Sequence, residues 1–411
     1  MTTDHPAITA AVTQALAAPP RDAAIRGARL VDARGVRDHA WVVVRDGTID
    51  AVGTTDEGFD AAAVGVEDVV EAAGRTLTPG YVDIHAHGGW GASFDDGPEG
   101  IATARACHMV HGTTRQVLSL ITNPLDVMER NLRVVREQMD MRPDILGAHL
   151  EGPFLALARK GAHDPNCLVD PVPAVVERLL AAADGALRQI TIAPELPHGM
   201  EAIRAFAAAG VAPAIGHCDA DYETACEAID AGATIMTHMF NAMNGIHHRE
   251  PGPIPAVTAD PRVTPELIND GFHVQNPVVQ MAWGFAPHRL AFVTDAMAAT
   301  DCPDGHYLLG ALDVTVVDGH ARLASNGAIA GSTLLLEDAV ARAVLELGFA
   351  AAEAVEAATL TPSRALGLNR PNAITGAPLG LIAPGYAGDM LLTDPETWKV
   401  ERVWCAGRPV A

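Results

Sequence analysis

Lysine is nearly absent from this chain. Its 411 residues contain two, Lys160 and Lys399, and basic residues of both kinds number 28 against 51 acidic ones. The net charge is −23 with histidine neutral. A chain this acidic repels phosphate backbones and anionic lipid surfaces, so neither a nucleic-acid partner nor a polybasic membrane role is expected. Any anionic ligand needs a local basic pocket built against that field. Aromatic residues make up 4% and do not interleave with basic ones, which excludes a base-stacking platform. The six cysteines form no C-x-x-C pair, so reduced thiols are expected rather than a disulfide framework. No stretch of about 18 uninterrupted apolar residues offers a membrane span. The opening MTTDHPAITAAVTQALAAPP carries Asp4 and no basic region, unlike a signal peptide. A soluble, cytoplasmic protein is the expectation.

What is present is apolar bulk. Hydrophobic residues are 49% and charged residues 19%, enough for a large core and too apolar for wholesale disorder. Residues 1–24 read as a frayed or partly helical lead-in that ends at Pro19-Pro20. Residues 25–76 show short alternating runs broken by glycines and by the Asp46-Gly47 turn, and residues 369–411 share that texture. The two end segments are expected to pair into one small β-sandwich domain, with residues 77–368 inserted between them.

That insertion holds eight short apolar runs, at 77–85, 113–122, 144–151, 189–195, 211–217, 234–238, 262–270 and 289–295. Helical patterns separate several of them, among them PAVVERLLAAADGAL and GMEAIRAFAAAG. Eightfold alternation fits an α/β fold of the (β/α)8, TIM-like barrel type, with a doubly wound sheet as the alternative. Metal-capable residues stand at the ends of these runs, where barrel enzymes build their sites. His85 and His87 close the first as H-A-H, and residues i and i+2 of a strand share a face. Glu151 ends the third run, His217 the fifth, His238 the sixth and Asp295 the eighth. Any one of these is more often a cap or a satisfied core polar group. Five strand ends together are poorly explained that way, and a Glu with two His suits a catalytic divalent ion.

PGYVDIHAHG, HLEGPF, IGH and VTDAM, in that order, resemble the amidohydrolase superfamily. Most of its members bridge two metals with a carboxylated lysine; here the barrel holds only Lys160, and Glu151 is the substitute. With KGAHDP, THMFNAM, HHREPG, DGFHV and AIAGS, and the closing GLIAPGYAGDMLL, the chain is similar over nearly its whole length to the N-acetylglucosamine-6-phosphate deacetylase family. The resemblance implies metal ligands at Glu151, His217 and His238 and a catalytic acid/base at Asp295. It places sugar and acetamide contacts at Ala162, His163, Asn241, Ala242, Asp270, Gly271, Phe272, His273 and Ile329-Ala330-Gly331. A phosphate contact falls on Arg249, supplied by the neighbouring subunit of a homodimer. One ion, zinc, is expected; His85 and His87 open room for a second. Cys218 stands where a hydroxyl residue follows the ligand His, and reads as a small buried hydrophobe close enough to the site for oxidation to matter.

The implied reaction is hydrolysis of the acetamide of N-acetylglucosamine 6-phosphate, with Asp295 as general base and acid and His163 polarising the carbonyl. The alternatives are the galactosamine epimer and, from another class, a non-catalytic assembly protein on the same barrel, which should lack a ligand or the acid/base residue. Gly88–Gly91 reads as a flexible loop over the barrel mouth, and Asp95-Asp96 as a solvated turn.

Overall fold

A computed structural model describes residues 4–55, 58–60 and 65–411. Residues 1–3 of the lead-in and residues 56, 57 and 61–64 of the first β segment lie outside the described residues. Eight parallel strands stand side by side in chain order: Tyr81–Asp83, Thr113–Ile121, Ile145–Glu151, Leu187–Ile192, Ala212–Ile215, Ile235–Met236, Thr264–Leu267 and Ala291–Phe292. Each lies in or overlaps one of the eight runs. Thr113–Ile121 is buried along its whole length, as a strand with helices outside and side chains inside must be. The eighth strand returns to the first through loop contacts. Asp295 N donates to His85 O at 2.8 Å, and Thr294 Oγ1 to Asp83 Oδ2 at 2.6 Å. This is the TIM-like barrel that the alternation implied, not a doubly wound sheet.

Helices follow the strands because their apolar residues recur on one face. In Leu125–Met141 the buried Met128, Leu132 and Val135 repeat at helical spacing, while Arg130, Arg133 and Glu137 are exposed. The N-terminal segment is helical over His5–Ala17, capped by Asp4, and sinks Val12 and Leu16 into the barrel's own core. Among the described residues no helix is long and apolar enough to cross a membrane.

The two end segments do pair. Thr76–Pro79 lies between Ala23–Asp32, parallel to it, and Met390–Thr393, antiparallel to it. The sheet continues through Val400–Cys405 and Arg408–Pro409 on one side and through Gly35–Arg45 and Thr48–Thr54 on the other. The run at 77–85 is therefore two strands, one in each sheet, with Gly80 as the hinge. A Cβ at Gly80 would lie 2.2 Å from Thr114 Oγ1, so only glycine lets the chain pass here. Across the junction, Arg115 of the second barrel strand meets Asp389 in a buried two-pronged ion pair at 2.6 and 3.1 Å.

Two loops differ from the sequence reading. Gly88–Gly89 and Ala92–Ser93 form a tight hairpin, not a flexible loop, and both glycines are buried. A Cβ on Gly88 would lie 2.2 Å from Ala92 O, so these glycines serve close packing. Of Asp95 and Asp96, Asp96 is exposed as expected of a turn, whereas Asp95 is turned inward. Asp95 accepts from Asn131 Nδ2 at 2.9 Å and Ile121 N at 3.3 Å, and Asp96 closes a capping box with Ser93. Beyond the eighth strand the chain adds a three-stranded antiparallel sheet, Gly305–Leu309, Leu312–Val317 and His320–Leu323, which the sequence reading did not separate from the barrel.

Asp144 and Arg105 are both fully buried at the foot of the barrel. Arg105 donates to Asp144 Oδ2 at 2.9 Å, to Thr113 O at 2.8 Å and to Gln116 Oε1. Burial alone would raise the Asp144 carboxyl, but Arg142 and Arg105 hold it below the usual range. Replacing Asp144 with Ala strands Arg105 without its counter-charge and is expected to cost about 3–5 kcal/mol in urea unfolding. A folded pKa below the unfolded one stabilises fully above about pH 4, and the contribution fades as pH falls through the folded value. The deficit of the variant should therefore shrink in acid; a constant deficit would mean that packing, not charge, is lost.

Candidate metal centre and substrate pocket

The C-terminal ends of the barrel strands converge on one carboxylate. Glu151 Oε1 lies 3.1 Å from His217 Nε2, 3.1 Å from His238 Nε2 and 3.4 Å from His85 Nε2. Its Oε2 lies 3.1 Å from His87 Nε2 and 3.3 Å from His163 Nε2. Asp295 Oδ1 completes the cluster, 3.5 Å from His85 Nε2 and 3.4 Å from His87 Nε2. All seven side chains are buried. Two overlapping ligand sets result: Glu151, His217 and His238, and His85, His87, Glu151 and Asp295.

Local backbone turns these side chains inward. His217, His238 and Asp295 each follow a barrel strand and adopt positive φ, at 47°, 27° and 50°. Such conformations cost about 1–3 kcal/mol each in a non-glycine residue and persist only where the surroundings hold them. The positive φ redirects the chain at the barrel mouth so that side chains from separate strands face each other.

The donor atoms fit a cation. His217 Nδ1 donates to Arg159 O at 2.8 Å, and His85 Nδ1 to Glu266 Oε2 at 2.9 Å. In a neutral ring the opposite Nε2 then carries a lone pair. For His217 that lone pair faces a carboxylate oxygen at 3.1 Å and the Nε2 of His238 at 2.9 Å. His85 Nε2 is buried with no hydrogen-bond partner among the described residues. Facing lone pairs repel unless positive charge lies between them. Metal bonds of about 2.0–2.1 Å in a tetrahedron set ligand atoms about 3.3 Å apart, close to the spacings here. The cluster can hold a metal ion.

The environment sets the charge of each group. Burial lowers His87, but hydrogen bonds to Asp295 and Glu151 outweigh it and hold the ring at about 9. Burial would raise Asp295; His85 and His87 keep it below the ordinary carboxylate value. His163 is pushed down to about 4 by burial, against the pull of Glu151, so its ring is neutral. Behind His85, at 4.7 Å between ring centroids, His149 is kept neutral by burial and bonds with Ser119 and Thr191 at 2.9 Å each. Cys218 is fully buried, and burial pushes its thiol up to about 12. It is an inert core residue, and the oxidation sensitivity expected for it has no thiolate to act through.

A cavity of about 360 Å³ opens above this floor. His87, Glu151, His217, His238 and Asp295 form its base, and Ala162, His163, Asn241, Ala242, His273, Ile329 and Gly331 its walls. Ala330 is buried beside them, and Leu309 of the added sheet and Ala328 in the loop after it complete the lining. Asp270 does not line the cavity. It holds His273, accepting from Nδ1 at 2.6 Å and from the backbone N–H of Phe272 and His273 at 2.8 Å. Gly271 and Phe272 stand outside as well: Gly271 packs against Arg342, and the Phe272 ring lies 3.9 Å from that of His320. Arg249 is in a separate, exposed cavity with Asp221, Glu223 and Glu250, bonded to His248 at 2.7 Å. Within its own chain it does not reach the pocket.

Sequence reasoning passed over two residues, Arg159 and Glu266. Arg159 lines the cavity and is bonded to Asp219 at 2.9 Å and to Asn244. Its position directly before KGAHDP was the available signal. Lys160 turns its ammonium onto the carbonyls of Gly161 and His163 at 3.3 and 3.2 Å. Glu266 lies inside a strand, not at its end, so the strand-end criterion could not find it.

A family model described as the amidohydrolase family matches residues 76–410. The N-acetylgalactosamine-6-phosphate deacetylase of Escherichia coli O157:H7 is 32% identical over 389 residues, covering 93% of this chain and 98% of its own length. The N-acetylglucosamine-6-phosphate deacetylase of Lysinibacillus sphaericus is 32% identical over 375 residues, 90% of this chain and 93% of its own. Among solved structures, a mutant N-acetyl-D-glucosamine-6-phosphate deacetylase of Mycobacterium smegmatis, in complex with N-acetyl-D-glucosamine 6-phosphate, aligns with a TM-score of 0.88 and 37% identity. That alignment covers 95% of this chain and all of the other. By sequence and fold alike, the chain belongs to the amidohydrolases and, within them, to the N-acetylglucosamine-6-phosphate deacetylase family.

Proposed function

We propose that this protein hydrolyses the acetamide of N-acetylglucosamine 6-phosphate to glucosamine 6-phosphate and acetate. The observation that carries the reading is the convergence of two His-rich ligand sets on Glu151 at the floor of a sugar-sized cavity, with Asp295 at its edge. Glu151, His217 and His238 would hold the ion, zinc by the buried N/O character of the set. His85 and His87, with Glu151 and Asp295, would hold a second. A divalent ion here supplies Lewis acidity, which makes water nucleophilic at neutral pH and polarises the amide carbonyl.

The rest falls to the chain's own side chains. Asp295 is ionised, as a base must be, and its Oδ1 takes the proton of the attacking water and returns it to the departing nitrogen. His163, neutral and facing the cavity, donates a ring N–H to the acetamide oxygen as charge builds there. Asn241 and His273 orient the sugar, the latter held by Asp270. The apolar Leu309 and Ala328 in the lining limit water around the sugar. Arg249, with its planar fork, serves the phosphate of a second subunit's substrate, which makes the protein a homodimer. Sugar phosphates do not cross membranes unaided, which supports a cytoplasmic site of action. The E. coli relative favours one further reading, the galactosamine epimer as substrate. With Glu151, His217, His238 and Asp295 all present and facing one another, a non-catalytic assembly role is disfavoured.

The deciding assay is amine release from N-acetylglucosamine 6-phosphate, its galactosamine epimer and the unphosphorylated sugar, with and without chelator. Chelator-sensitive release confined to the phosphorylated glucosamine compound is expected; faster release from the epimer would reassign the substrate. Asp295→Asn should retain fold and bound metal and lose about 10²–10⁴-fold in kcat. Near wild-type turnover would remove Asp295 from the proton transfers. Arg249→Ala should raise KM about tenfold or more for the phosphorylated sugar, as loss of a charged hydrogen bond does. An equal rise for the free sugar would dismiss the phosphate role.

A further inference from the structure

Glu266 lies within the seventh barrel strand, Thr264–Leu267, and is completely buried. A carboxylate in such a place is costly unless each oxygen is met by a donor. Three donors meet it, from three other strand segments. His85 Nδ1 bonds to Oε2 at 2.9 Å, the backbone N–H of His238 to the same Oε2 at 3.1 Å, and Gln189 Nε2 to Oε1 at 2.6 Å. The main chain repeats the connection, since Met239 N donates to Glu266 O at 2.9 Å.

The two donors on Oε2 belong to different ligand sets. His85 stands with His87, Glu151 and Asp295, whereas His238 stands with Glu151 and His217. Their rings are 5.6 Å apart between centroids. One oxygen therefore fixes the tautomer and tilt of the first and the backbone of the second, which is held at the strained φ of 27°. A carboxylate present only to fill space would have no reason to divide its bonds this way.

The geometry points to Glu266 as a positioning residue that locks His85 and His238 into register with each other, so that both ligand sets are preformed around Glu151. This rests on the ion-dependent reading above. Outer carboxylates of this kind typically contribute a factor of about 10–100 in metal affinity.

The test measures zinc affinity of the chelator-stripped full chain by competition with a chromogenic chelator, beside the thermal unfolding of the stripped form. Glu266→Ala should bind zinc about 10–100-fold more weakly. Glu266→Gln should recover most of that loss. It keeps one acceptor oxygen for His85 and His238, and Gln189, whose Oε1 is unpartnered among the described residues, can turn to meet the new amide. If the alanine variant does not fold, Glu266→Asp carries the test, because it keeps the charge and withdraws the oxygens by one methylene. Weakened zinc binding in the aspartate variant is then the expected result. Wild-type zinc affinity in a folded alanine or aspartate variant, with only the stripped form's melting temperature lowered, would overturn the positioning role alone. A wild-type chain that takes up no zinc would overturn the ion-dependent reading, and this role with it.

Discussion

A single desolvated carboxylate organises the barrel mouth. Glu151 presents two oxygens to five imidazoles, all buried. A buried anion without positive partners is expensive; His87, held at about 9, meets part of the demand, and any inward nitrogen that carries a lone pair leaves the rest unmet. The rest of the site follows from meeting that demand. The clustered side chains come from the ends of different strands, the chain turns at His217, His238 and Asp295, and outer acceptors, Arg159 O and Glu266, meet the rings of His217 and His85.

The scaffold spends its rigidity where this demand is greatest. The left-handed backbone at His217, His238 and Asp295 is tolerated because each follows a strand that is paired on at least one side and packed below. The small β domain contributes at a distance. Through Asp389 it grips Arg115 on the second strand, and through Thr76–Pro79 it anchors the segment that leads into His85 and His87. The inserted three-stranded sheet packs its own apolar side, with Val314, Val316 and Leu323, against Ile121, Ala162 and Met297 beside the cavity. Barrel and added sheet thus meet at Ile121 and Ala162, which also line the pocket.

Much of this was legible in the sequence because periodicity and strand ends are local signals. The eight apolar runs located eight strands, and the residues that ended five of them are the ones that converge on Glu151. The break at Gly80 was invisible because LTPGYVDIH reads as one apolar stretch, and only the approach of Thr114 reveals why a glycine divides it. The hairpin at Gly88–Gly89 was misread for a related reason: glycine marks both mobile loops and crowded ones, and composition does not tell them apart. Buried charges such as Arg105, Asp144 and Glu266 gave no warning either. Their partners are 39 and 181 residues away in the chain for the pairs Arg105–Asp144 and His85–Glu266, and no window of sequence spans such a distance.

The scarcity of lysine takes on a meaning at this site. A carboxylated lysine is a carbamate, a bond that forms and falls apart with the supply of dissolved carbon dioxide and is lost in acid. The barrel's one lysine, Lys160, is committed to backbone carbonyls. Glutamate brings its carboxylate by translation. The carboxylate at the centre of this cluster is thus in place as soon as the chain has folded, with no need of bicarbonate.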